Sequence, residues 1–194
     1  MAERVIDVKG LKTEFRMKRR TVFAVNGVSY HVDAGEIVGV VGESGCGKSV
    51  TQMSSVQLVA MPPGKIVEGE VMFGGKDILA CEKDGEEIRA IRGSEIAMIF
   101  QEPMTSLNPV LTIGEQIAES LRLHKGMNKE QAKARVVELL KMVGIPDPES
   151  RYSQYPHEFS GGMCQRIMQP KVIITTEFTQ PQSIVMMIMR KKQE

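Results

Sequence analysis

Cysteine is scarce in this chain and poorly placed for cross-links or metal. Cys46, Cys81 and Cys164 form no C-x-x-C pair and no metal-ligand spacing. A sparse, odd count argues against a disulfide framework and for reduced thiols in a cytosolic protein. Net charge is nearly absent too, since 25 Lys and Arg against 24 Asp and Glu leave a formal +1. No global field therefore argues for nucleic acid or an anionic membrane. Long apolar runs are also missing. No stretch approaches the ~18 residues of a membrane span, and the longest candidate is "SIVMMIM" at 183–189. The opening "MAERVIDVKG" lacks the apolar core of a secretion signal. Any work at a membrane is expected to run through docking onto another protein.

What remains is ordinary for a soluble globular chain, 42% apolar and 25% charged over 194 residues. That length holds one domain with a sizeable core and room for an inserted subdomain. "RVIDVKGL" and "TVFAVNGVSYHV" read as strands. The basic "RMKRR" between them reads as a solvated hairpin turn, with lipid-headgroup contact as the alternative. "EIVGVV" at 36–41 is a short apolar run expected to be a strand buried on both faces. "VTQMSSVQLV" is expected to be helical, "GEVMFGGKDI" a strand and turn, and "EIAMIF" a second buried strand.

From Glu102 the pattern turns helical. Thr112 and Glu115 stand at capping-box spacing before a stripe of Ile113, Ile117 and Leu121. Asn128 and Gln131 repeat the device before Ala132, Val136, Leu139, Leu140 and Val143, with Gly144 as the stop. "IPDPESRYSQYP" reads as a loop, "SGGMCQRIM" as a helix start, "KVIIT" as a strand and "QSIVMMIMRKK" as a last helix. Strands, a helical insert, then strand again describe an α/β domain carrying a mostly helical subdomain.

Two motifs carry chemistry. "GESGCGKS" fits G-x-x-x-x-G-K-[ST] at Gly42, Gly47, Lys48 and Ser49. Glycines let backbone N–H groups turn around a β-phosphate, and the following helix offers its positive end. Lys48 would reach the β- and γ-phosphates and the Ser49 hydroxyl would ligate Mg²⁺. Glu43, Ser44, Gly45, Cys46 and Val50 complete the candidate ATP-binding loop. In "SGGMCQR", Ser160 could cap a helix whose first turn, Gly161 and Gly162, leaves N–H groups bare for an anion.

With "AVNGVS", "VGESGCGKSV", "GGKDIL", "IAMIFQEPMTSLNPVLTIGEQIAE" and "YPHEFSGGMCQRIM" in place, the chain resembles the ATP-binding subunits of ABC transporters over about residues 4–168. "FQEPMTSLNP" and "HEFSGGMCQR" point to the peptide/nickel importer branch. The resemblance implies a P-loop NTPase of ABC type. Its core sheet would be mostly parallel, with an antiparallel β subdomain and a helical subdomain. The nucleotide-binding core would span 1–101, the helical subdomain 102–168, and an incomplete remainder of the core 169–194. Gln101 falls at the glutamine that senses Mg²⁺ and the γ-phosphate. Phe15 falls near the adenine-stacking aromatic, with Phe23 as a competitor. Ser160, Gly161 and Gly162 would meet ATP held by a second subunit in a head-to-tail dimer. A lone chain would hydrolyse poorly, because half of each site is missing. The implied partners are that second subunit and a transmembrane permease at the cytoplasmic face, with no nucleic acid.

The pattern breaks after Met168. Glu177 aligns with the catalytic glutamate, but Thr176 stands where the family has the aspartate of the Mg²⁺ shell. A neutral hydroxyl brings no charge to the ion, so weaker Mg²⁺ retention and slower turnover are expected. "QPK" follows "RIM" about seven residues early, roughly 10 Å of helix. No "SALD"-type loop follows, and His31, His124 and His157 all precede the expected position of the switch histidine. So abrupt a change suggests one event: a deletion, a frameshift, a degenerate gene or an uncertain sequence assignment. The rival readings are a truncated, non-hydrolysing paralogue needing an intact partner, and an ABC-type protein acting on DNA or ribosomes. Near-neutral charge and "FQEPMTSLNP" argue against the latter.

Overall fold

The computed structural model describes residues 3–92, 94–99, 107–176 and 184–187. It divides into two units between Arg92 and Gly93. In the first, β1 (Arg4–Arg16) and β2 (Thr21–Asp33) form a long antiparallel hairpin. β3 (Gly64–Phe73) pairs antiparallel with β1, and the short β4 (Lys76–Asp77) with β3, giving the order β2-β1-β3-β4. The turn between β3 and β4 is Gly74-Gly75, both at positive φ, the chemistry a two-residue hairpin requires. Ile6, Val8 and Leu11 of β1 are fully buried, Ile6 and Val8 stand opposite the buried Phe73 and Val71 of β3, and a register shift beyond Val8 brings Leu11 rather than Gly10 inward. Each such side chain contributes about 1.5–3 kcal/mol of burial. The hairpins, the "RMKRR" turn and the antiparallel sheet all form as expected.

α1 (Lys48–Ser55) lies against this sheet and stops earlier than its apolar sequence suggests. Gln57 takes a left-handed conformation, φ 55°. Its side-chain amide, 5% exposed, donates to the carbonyls of Ile78 and Cys81 at 2.6 and 3.0 Å. That buried anchorage outweighs continuation of the helix. A short α2 (Glu86–Ile91) closes the unit.

The second unit opens with β5 (Ile96–Ile99) and continues into α3 (Ile113–Lys125) and α4 (Lys129–Met142). Asn128 and Gln131 make the full reciprocal capping box, at 2.9 and 3.1 Å. At α3 only half of it forms. Thr112 Oγ1 accepts from the Glu115 N–H at 3.3 Å, but the Glu115 carboxylate accepts from Arg122 instead. Gly144, φ 68°, ends α4 region as expected. The presumed loop beyond holds α5 (Pro148–Arg151) and a 3₁₀ turn (Pro156–Glu158). The helical stripes read from sequence form the core, with Ala132 among its fully buried residues and Val143 only partly buried at its edge, and Phe159 and Ile167 join it from outside those stripes.

Three expectations are overturned. Residues 36–41 are not a buried strand: they run without regular structure, with Ile37 98% and Val41 92% exposed. A strand buried on both faces needs neighbours in its sheet, and among the described residues no strand lies beside it. "KVIIT" is not a strand either, because α6 (Gly161–Thr176) continues through it. Helical hydrogen bonding propagated from Gly161 onward overrides the β propensity of that run. Residues 184–187, expected to be helical, form β6 (Ile184–Met187) and pair with β5. This four-residue β-branched and methionine segment gains ladder bonds as a strand that one helical turn would not supply.

Candidate functional site

The glycine-rich loop sits at the N-terminus of α1. Gly45 and Gly47 have φ of 82° and 93°, so the chain turns through left-handed positions that side chains resist. Gly47 is the N-cap and offers no side-chain cap; no acidic residue stands in the first turn. The positive end of the helix is therefore left for an anion. Lys48 Nζ donates to the carbonyl oxygens of Gly42 and Glu43 at 2.7 and 2.6 Å, and lies 3.5 Å from Cys46 Sγ. The ammonium thus spans its own loop. A Cβ on Gly42 would come within 2.7 Å of Cys46 Sγ, and one on Gly47 within 2.2 Å of the Ala24 oxygen. Residues 42–46 are exposed and 47–50, with Ser49 and Val50 in the first turn of α1, are half-buried.

Polar pairs that sequence reasoning missed pin α1 to the hairpin. Thr13 Oγ1 and Ser54 Oγ share a buried hydrogen bond at 2.8 Å. Tyr30 Oη pairs with Ser55 Oγ at 3.1 Å and donates to Gln52 Oε1 at 3.2 Å. Burial pushes the Tyr30 phenol above its ordinary value, only partly offset by Ser55 and Gln52. The available signal was Ser54-Ser55 on a helix face that had to meet a sheet: small hydroxyls there need partners. Phe15 is half-buried, with ring atom Cε1 3.2 Å from where a Gly64 Cβ would be. Phe23 is 59% exposed.

In the second unit, Ser160 Oγ accepts from the Met163 N–H at 3.4 Å, a loose N-cap for α6. Gly161 and Gly162 are exposed, and a Cβ on either would meet nothing within 4 Å among the described residues. The fold of this chain does not itself demand glycine there. Cys164 is buried and its thiol is pushed up by burial, so it is a packing residue. Gln101 and Glu177 lie outside the described residues, and Thr176 is the last residue of α6. The structure thus assembles residues 42–50 with the hairpin in one unit and Ser160, Gly161 and Gly162 in the other.

The family model for the ABC transporter matches residues 25–177. The oligopeptide transport ATP-binding protein OppD of Bacillus subtilis (strain 168) is 48% identical over 91% of this chain and 51% of its own length. The dipeptide transport ATP-binding protein DppD of the same organism is 46% identical over 91% of this chain and 54% of its own. The chain therefore spans about half the length of the curated relatives it matches. A solved dimeric, post-hydrolysis state of the ATP-binding cassette MJ0796, bound to ADP and Pi, superposes with a TM-score of 0.76. It is 26% identical, over 89% of this chain and 70% of that one.

Proposed function

The chain belongs to the ABC transporter family, and from that premise we propose that it is the ATP-binding subunit of a peptide importer. The observation that carries this reading is the start of α1: an uncapped helix end, two left-handed glycines and the Lys48 ammonium over the loop. Gly42, Glu43, Ser44, Gly45, Cys46 and Gly47 would turn their backbone around the β-phosphate, with Ser49 and Val50 following in the first turn. Phe15 would stack on the adenine. The names of the relatives supply the peptide.

Mg²⁺ fits this donor set. It is a hard cation, held by few protein oxygens and by substrate phosphates. The Ser49 hydroxyl and Gln101 amide would hold it. Among the described residues no cluster of three His, Cys, Asp or Glu offers a competing cage. When bound, the ion neutralises charge on the phosphates. Ser160, Gly161 and Gly162 would face the ATP of a second subunit in a head-to-tail dimer, and Glu177 would orient the attacking water. The dimer would drive a transmembrane permease from the cytoplasmic face.

A second reading, an ATP-binding module that does not hydrolyse without an intact partner, draws on one observation. The run ending at Thr176 is helical, and Thr176 stands where the family places an aspartate. Calorimetric titration with MgATP, followed by phosphate-release assays with and without a second ATP-binding subunit, tests both. The importer reading expects binding in every case and turnover by the chain alone that rises with its concentration as it dimerises. Binding without turnover by the chain at any concentration, restored only when the second, intact subunit is added, selects the second reading. A folded chain that fails to bind ATP overturns both.

A further inference from the structure

We propose that the tip of the β1–β2 hairpin contacts an anionic lipid surface directly, beyond any attachment through a permease. The Met17 N–H donates to the Arg20 carbonyl at 2.9 Å, closing a tight turn in which every residue from Arg16 to Arg20 is exposed. Arg16 is engaged by Glu14 at 2.6 Å. Lys18, Arg19 and Arg20 make no ion pair with any described residue. Elsewhere on the same unit Arg4 faces Asp7, Lys9 faces Glu70, Lys12 faces Glu68 and Lys76 faces Glu87, and the cations without an ion pair to a described residue, such as Lys65, Lys83 and Arg89, stand singly along the chain. Three adjacent unmatched cations therefore set the tip apart, and a near-neutral total charge hides them.

Charge alone would suit any polyanion. The apolar neighbours decide the class. Met17 is 53% exposed at the apex, and Phe23, paired with Glu14 across the hairpin, is 59% exposed. In water these side chains gain nothing from a phosphodiester backbone. At a bilayer interface the cations meet anionic headgroups while the methionine enters the acyl boundary. A cation near such a surface raises partitioning about fivefold, and three together on the order of a hundredfold.

The test is sedimentation of the chain with vesicles of phosphatidylcholine alone or enriched in phosphatidylserine, alongside Lys18→Gln/Arg19→Gln/Arg20→Gln and Met17→Gln. The expected result is binding that requires phosphatidylserine. It should fall about a hundredfold in the triple variant and several-fold in Met17→Gln, and fade as salt rises from ~0.1 to ~1 M. Thermal melts of all three proteins exclude loss by unfolding. Equal partitioning onto phosphatidylcholine, undiminished binding by the triple variant, or no vesicle binding by the folded chain overturns it. Binding to an RNA oligonucleotide that Met17→Gln leaves unchanged, without vesicle binding, overturns it in favour of nucleic acid. The vesicles hold neither permease nor nucleotide, so failure here leaves the ATP-binding reading intact.

Discussion

The backbone oxygen of Ala24 lies 2.2 Å from the point that a Cβ on Gly47 would occupy. Two demands thus meet at one residue. The left-handed turn into α1 disfavours a side chain, and the β2 strand fills the space it would need. The last glycine of the phosphate loop is dictated by its seat on the hairpin as much as by a ligand.

Gly47→Ala should therefore cost more than Gly45→Ala. Both carry positive φ, but a Cβ on Gly45 meets nothing within 4 Å. Gly45→Ala should lose about 1–2 kcal/mol from conformation alone. Gly47→Ala adds a clash with backbone, and a further loss of about 1–3 kcal/mol is expected. Urea denaturation of the two variants measures the difference, and equal midpoints would refute the role of Ala24.

Lys48→Met removes the ammonium that reaches the Gly42 and Glu43 carbonyls. A charge-assisted contact to phosphate is worth about 1.5–3 kcal/mol, so ATP affinity should fall roughly 10- to 150-fold. The bonds it loses within the loop are exposed, and the melting temperature should hardly move. Fluorescent-nucleotide titration and a thermal melt of the same sample separate the two effects.

Ile37→Lys should be nearly neutral, within about 0.5 kcal/mol, because Ile37 is 98% exposed. The chain's pattern alone predicts a loss of several kcal/mol for a charge in a buried strand. A thermal melt chooses between them.

That disagreement marks what the sequence made legible. The hairpin turns, the cap at Asn128 and the helix stop at Gly144 depend on neighbours within a few residues, and they were readable. So were the stripes of α3 and α4, since a helix's buried face is written in its own period. The runs at 36–41 and 171–175 depend on which strands lie alongside, a non-local condition that β propensity does not encode. At the site, the loop and Ser160 were legible as motifs. Thr13, Tyr30 and Ala24 were not, because their roles arise only when the hairpin closes over α1.

The Glu115–Arg122 pair gives a pH signature. The Arg122 hydrogen bond holds the Glu115 carboxyl below its ordinary value of 4.5, against a smaller opposing effect of burial. A depressed carboxylate stabilises the fold above its unfolded value, and that gain is lost as pH falls through the lowered folded one. Glu115 is 41% exposed, so the gain is only about 0.5 kcal/mol. Glu115→Gln should cost that much at neutral pH, and the gap from the parent should close toward pH ~3. A gap that widens in acid would contradict the pairing.

Gly162 offers the sharpest separation of fold from assembly. A Cβ there meets nothing within 4 Å among the described residues, and its φ is not in the left-handed range. Alanine is also the better helix former, by about 1 kcal/mol, at a position just inside α6. The isolated Gly162→Ala chain should therefore be as stable as the parent or slightly more so. It should bind ATP equally well, because its own phosphate loop lies elsewhere. If Ser160, Gly161 and Gly162 face the nucleotide of a second subunit, the added methyl obstructs the backbone's approach, and ATP-dependent dimerisation should weaken at least tenfold. Analytical ultracentrifugation with MgATP reads that loss directly. Unchanged dimerisation with unchanged stability would remove the glycine pair from the subunit interface and leave it a plain helix start.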